Sequence, residues 1–241
     1  MILFLGRNRR PALHHLAPSV RDSTLPSVFF CNNRFRYVHE QVYDQFVPQL
    51  VKAYGSVPIG NPLLPGTLMG PLHNAAAVKV FVDTVAAAKA QGGKVLLACE
   101  VAHFQLDQRS LLSQVLYGGT TRDQGANLPS KGHFVQPTII AIDHSAAVVQ
   151  HEAFVPCLYV MKVKTYVTPP LTYQLLSCID LTHVRYEEAV AKNNAVSQGL
   201  SSSLFTRDMR NVFRWMGPQG SDCGLVNVNA GTSGDHYRAA E

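Results

Sequence analysis

The sequence is poor in charge, has no paired cysteines and carries no phosphate-binding signature. Charged residues make up 15% of 241. The net charge of +5 is scattered, apart from Arg7, Arg9 and Arg10. A nucleic-acid footprint would gather such charge into a basic stripe interleaved with aromatics. The excess therefore reads as solvated surface, and nucleic acid is not an expected partner. The five cysteines (Cys31, Cys99, Cys157, Cys178, Cys223) form no CxxC pair. Their odd count and wide spacing argue against a disulfide framework and a structural zinc site, and point to a reducing compartment. No apolar run is long enough to span a bilayer, so no membrane is expected either. Neither GxGxxG nor GxxxxGKS/T occurs, which removes the two common phosphate cradles. There is no GxSxG nucleophile elbow. His151-Glu152 would open an HExxH zinc site, but the fourth position after His151 is Val155. No metal is expected.

What is there is a hydrophobic content of 46%, enough for a sizeable core. Residues 1–30 show no clear period and hold three prolines, so they are expected to have little structure of their own. Their arginines, with no acidic residue before Asp22, faintly resemble a mitochondrial transit peptide; an unstructured leader is the alternative. From His39 to Tyr54, Val42, Phe46, Leu50 and Val51 recur at helical spacing, and Pro48 should kink or shorten that helix. "LHNAAAVKVFVDTVAAAKAQGG" is the best helix in the chain. It should bury a face of Val78, Phe81, Val82 and Val85 and stop at Gly92-Gly93.

"KVLLA", "HFVQPTIIAI", "PCLYVMKV", "LSSSLFT" and "GLVNVN" read as strands. "YEEAVAKNN" and "MRNVFRWM" read as helices, the second capped by Asp208 and ended by Gly217-Pro218. This alternation makes the fold class α/β, a largely parallel sheet covered on both faces. Two stretches, 99–114 and 165–185, break the rhythm and carry no clean period.

One carboxylate stands out. In "VVQHEAFVPCLYVMKV", Glu152 adjoins a core-forming strand, where an unpartnered carboxylate is costly to bury. On local chemistry alone it reads as a solvent-facing residue at a strand end. Cys31 taken alone is either a nucleophile or an inert small apolar residue.

The block "GLSSSLFTRDMRNVFRWMGPQGSDCGLVNVNAGTSG", Gly199 to Gly234, resembles the aldehyde dehydrogenase superfamily. Within it the resemblance is to the branch that oxidises α-aminoadipic semialdehyde. "RYVHEQVYDQF", "VPIGNPLLPGTLMGPLH", "VDTVAAAKAQGGKVL" and "FVQPTIIAI" resemble the same family in the same order. The resemblance implies an aldehyde dehydrogenase-like catalytic domain over residues 31–234, an open, largely parallel sheet with flanking helices, incomplete. The leader 1–30, the intrusions 99–114 and 165–185 and the tail 235–241 stand outside it. They read either as translated non-coding sequence or as inserted loops of a divergent isoform.

"HEAFVP" is similar to the family's Glu-x-Phe-x-Pro motif. The resemblance makes Glu152 the acceptor of the nicotinamide-ribose hydroxyls of NAD, and Phe154 the residue packed beside that half of the cofactor. "NAGTSG" resembles the loop that receives the substrate's tail carboxylate, with Ser233 and Gly234 as its donors. There Ala230-Gly231 stands where the family usually has Ile-Pro, and Asp235 where a small residue is expected. Cys31 is the candidate catalytic nucleophile, although an ungapped alignment of "RFRYVHE" puts Phe30 on the cysteine position. The implied chemistry is NAD-dependent oxidation of a small-molecule aldehyde to a carboxylate, in a homo-oligomer of the cytoplasm or mitochondrion. The dinucleotide-binding domain and the general-base glutamate have no counterpart here, so the chain alone is expected not to turn over. The competing expectation is a non-enzymatic isoform that associates with full-length subunits.

Overall fold

The computed structural model describes residues 2–5, 35–92, 114–117, 132–163 and 183–232. In chain order these form β1 (Ile2–Leu5), β2 (Phe35–His39), α1 (Glu40–Gly55), α2 (Ala75–Ala90), β3 (Gln114–Tyr117), β4 (Thr138–Ala141), α3 (Ala147–Gln150), β5 (Cys157–Val163), α4 (His183–Asn194), β6 (Ser201–Thr206), α5 (Met209–Met216) and β7 (Leu225–Val228). The expected strand "KVLLA" lies outside the described residues.

All seven strands join one sheet in the order β3-β4-β5-β2-β1-β6-β7. Only β3 with β4 is antiparallel; the remaining neighbours pair in parallel. Strands buried on both faces should be continuously apolar rather than alternating. β5, "CLYVMKV", fits that rule, with only Lys162 exposed. α1 covers one face. Its Phe46, Val47, Leu50 and Tyr54 pack with Val38, Ile139, Leu158 and Val160. α2, α3, α4 and α5 cover the other, where Phe81, Val149, Tyr186 and Trp215 join Tyr37, Tyr159 and Leu204. Burying each large apolar side chain of this kind contributes roughly 1.5–3 kcal/mol.

Local chemistry accounts for the helix ends. The Asn74 carboxamide accepts from the Ala77 amide at 2.9 Å and starts α2. Gly92, at φ 94°, turns the chain away after it. Asp208 caps α5 through the Arg210 amide at 2.9 Å, as expected from the sequence. Tyr37 joins three elements: its hydroxyl donates to the Lys192 carbonyl at 3.1 Å and meets His144 Nδ1 at 2.9 Å.

Three expectations need correction. α1 runs through Pro48 as one 16-residue helix. Pro48 and Asp44, whose carbonyl loses its partner, are both exposed, and the buried residues on either side hold the helix against a cost of roughly 3 kcal/mol. Val82 is 47% exposed. It lies about 100° round the helix from Phe81, and Ala77, Thr84 and Ala88 fill the buried stripe instead. Residues 2–5, in a leader expected to have little structure of its own, form β1 between β2 and β6. A strand that short draws its stability from its neighbours, which no local pattern records.

Candidate functional site

Parallel pairing defines an amino edge of the sheet, where β4, β5 and β2 begin with Thr138, Cys157 and Phe35. The turn 151–156 sits on that edge and is tied at both ends. Upstream, Val149 is fully buried, and the Val148 amide donates to the Gln91 carboxamide at 2.9 Å. Downstream, Val155 is buried, and the Pro156 carbonyl accepts from the Thr138 amide at 2.8 Å.

Between these ties, Glu152 and Phe154 are held outward. Phe154 is 71% exposed and adopts φ 48°, the left-handed region. That conformation costs a non-glycine residue about 1–2 kcal/mol. The position has a physical reason. Val155 precedes proline and is pushed toward extended backbone, so the reversal falls one residue earlier. The outcome is a rigid turn that presents an aromatic ring and an exposed carboxylate to solvent. Backbone strain kept in this way, with no burial of the ring to offset it, marks a candidate binding position. A carboxylate accepts hydrogen bonds only, so Glu152 suits a ligand with hydroxyl donors such as a ribose diol. An exposed carboxylate beside an exposed ring is compatible with the ribose and base of a nucleotide cofactor.

The second element is the segment after β7. Asn229 has φ 53°, a region that Asn tolerates better than most residues. Its carboxamide accepts from the Thr206 amide and donates to the Thr206 carbonyl, both at 2.9 Å. The chain then doubles back over β6 and β7. The Ala230 carbonyl accepts from the Ser203 hydroxyl, and the Gly231 carbonyl accepts from the Asn227 carboxamide at 2.9 Å. Ser203 is three positions before Thr206, roughly 10 Å back along the strand. The segment therefore runs from the carboxyl end of β6 toward the amino edge that carries Glu152 and Phe154. Ser203, Asn227 and Asn229 were not among the residues singled out from sequence. The available signal was the asparagine pair in "VNVN", since Asn is the non-glycine residue suited to such a reversal.

Cys31, Ser233 and Gly234 lie outside the described residues. Thr232, the last described residue of that segment, is buried. Cys157 opens β5 but is buried, and desolvation pushes its thiol far above the ordinary range. It cannot supply a thiolate. Asp143, beside His144, is held below the usual carboxylate value by hydrogen bonds from the Ser145 hydroxyl and amide. Among the described residues no three His, Cys, Asp or Glu side chains gather as a metal site, and no helix is long and apolar enough to cross a membrane.

The open, largely parallel α/β sheet with helices on both faces is the fold of solved aldehyde dehydrogenases. The chain belongs to the aldehyde dehydrogenase family, whose model matches residues 30–113 and 100–168. It is 42% identical over 198 residues to a putative aldehyde dehydrogenase family 7 member A1 homolog of Dictyostelium discoideum, covering 82% of this chain and 30% of that protein. It is 39% identical over 199 residues to the alpha-aminoadipic semialdehyde dehydrogenase of Bos taurus, covering 82% of this chain and 28% of that protein. The chain thus spans about a third of the length of these relatives. In fold it matches the P. syringae indole-3-acetaldehyde dehydrogenase solved with NAD+, with a TM-score of 0.70 at 22% identity over 97% of this chain and 38% of that one.

Proposed function

We propose that this chain supplies the catalytic-domain share of an NAD-dependent aldehyde dehydrogenase that oxidises α-aminoadipic semialdehyde, or a similar ω-acidic aldehyde of lysine breakdown. The observation that carries this reading is the strained, outward Phe154 beside Glu152 on a turn tied at both ends. Glu152 receives the nicotinamide-ribose diol, and the Phe154 ring packs beside the nicotinamide. NAD, when bound, supplies the hydride acceptor. Ser233 and Gly234 receive the tail carboxylate through hydroxyl and amide donors; in sequence they follow the segment that Ser203, Asn227 and Asn229 hold over β6 and β7.

In this reading Cys31 is the nucleophile. Its thiolate adds to the aldehyde carbon to give a thiohemiacetal, loss of hydride leaves a thioester, and water cleaves the thioester to the carboxylate and free thiol. A base must take the proton from that water. The family resemblance assigns that proton to a general-base glutamate. Association with further subunits of the family, in the cytoplasm or the mitochondrion, belongs to the same proposal.

Saturation-transfer NMR with NAD tests it. Saturation should reach the nicotinamide and its ribose, and should be lost in Glu152→Ala. Transfer to the adenine alone, or transfer unchanged in Glu152→Ala, would overturn the assignment.

A further inference from the structure

The middle of the sheet is filled from outside the family-matched region. β1 lies between β2 and β6, while the family match begins at residue 30. Its backbone is paired on both sides in parallel. Ile2, Leu3 and Phe4 register with Arg36, Tyr37 and Val38. Ile2, Leu3, Phe4 and Leu5 register with Ser203, Leu204, Phe205 and Thr206. The residues that flank this channel, Arg36, Tyr37, Val38, Ser203 and Leu204, are all fully buried. An empty channel would leave two rows of buried backbone donors and acceptors unpaired, and unpaired buried groups are strongly unfavourable. The covalent link from Leu5 to Phe35 is 29 residues, 6 to 34, well above the dozen or so that a parallel crossover needs.

We infer that the channel between β2 and β6 is a strand-binding site for an extended apolar peptide, occupied in this chain by its own residues 2–5. Strand addition gains affinity from main-chain hydrogen bonds and selectivity from alternate side chains. Here both edges of the ligand are engaged, so the peptide must run parallel to β2 and β6 and be free of proline. A tethered strand acts at an effective concentration on the order of millimolar. Residues 2–5 therefore exclude a free peptide below that concentration, and the site becomes available in trans only when the resident strand is disabled.

The test uses the full chain. Leu3→Pro removes an N–H from the middle of the resident strand, and Leu3→Gly weakens it while keeping the ladder. Hydrogen exchange of amides 35–39 and 201–206 should quicken at least tenfold in Leu3→Gly, with α2 amides unchanged. A free peptide of residues 1–7 should bind Leu3→Pro saturably, restore slow exchange there, and fail to bind the unaltered chain at micromolar concentration. Unchanged exchange in Leu3→Gly, equal acceleration in α2, or equal peptide binding to the unaltered chain would each overturn the inference. If Leu3→Pro stays unfolded with excess peptide present, the strand does not act as a separable ligand and the inference also fails.

Discussion

Asn229 and Thr206 exchange two hydrogen bonds of 2.9 Å, the carboxamide of one closing on the amide and carbonyl of the other. The pair imitates one rung of a β-ladder just where β6 and β7 have ended. It also holds Asn229 at φ 53° and so sends the following residues back over the sheet.

Asn229→Ala removes both bonds and places a Cβ with no compensating amide in the left-handed region. The expected loss is about 2–4 kcal/mol, from two hydrogen bonds and the backbone penalty. Asn229→Gly keeps the backbone freedom and should lose roughly half as much. Urea titration of both variants checks the order. Equal losses would show that the carboxamide alone matters.

Phe154→Gly separates stability from ligand contact. Relief of the left-handed strain gains about 1–2 kcal/mol, and the added freedom of the unfolded chain takes back roughly 0.5–1 kcal/mol. Little packing is lost from a ring that is 71% exposed. The variant should match or slightly exceed the parent in melting temperature while losing its contact with NAD. A clear fall in melting temperature would mean that the ring has a structural role instead.

Alkaline pH should unfold the chain in two stages. Cys157 has an ordinary value of 9.0 and burial raises it. Tyr43 is pushed up to about 12, first by burial and then by Asp44. Burial raises Tyr186 as well. In each case the folded state holds the proton more tightly than the unfolded state. The stabilising contribution is therefore complete below the unfolded value and is lost as pH rises through the folded one. Melting temperature should begin to fall near pH 9 and fall further above pH 10. Cys157→Ala should delay the onset toward pH 10 without removing the second stage.

Gly220→Ala is expected to disturb the end of α5. A Cβ at that position would meet the Trp215 carbonyl oxygen at 2.2 Å and that of Arg214 at 2.3 Å. These are main-chain atoms that cannot rotate away. A cost of about 1–3 kcal/mol is expected for such overpacking. Trp215 is the chain's single tryptophan and is fully buried beside Tyr186, so a red shift in its emission reports the change directly.

Elements whose causes are local were legible in the sequence. α5, with Asp208 ahead of it and Gly217 behind, and α2, between Asn74 and Gly92, follow from cap chemistry within a few residues. The turn at Glu152 and Phe154 was legible through the family motif, but its left-handed residue was not. The pre-proline restriction on Val155 is in the sequence, but the reversal is held at Phe154 only because Val155 is buried and the Pro156 carbonyl is tied to Thr138. β1 could not be read at all, because "ILFL" has no period and its pairing partners stand more than 30 positions away. α1 defeated the proline rule because Phe46, Val47, Leu50 and Tyr54 bury a continuous face around an exposed Pro48. Tertiary burial overrode local preference there.

The Tyr37 hydroxyl has one proton, and the Lys192 carbonyl, which can only accept, takes it. His144 must then present Nδ1–H to the same oxygen. The imidazole is thereby confined to the tautomer that carries its proton on Nδ1. The joint between β2, the end of α4 and the turn after β4 therefore selects one form of its own histidine, by giving the only hydroxyl proton at hand to a main-chain carbonyl.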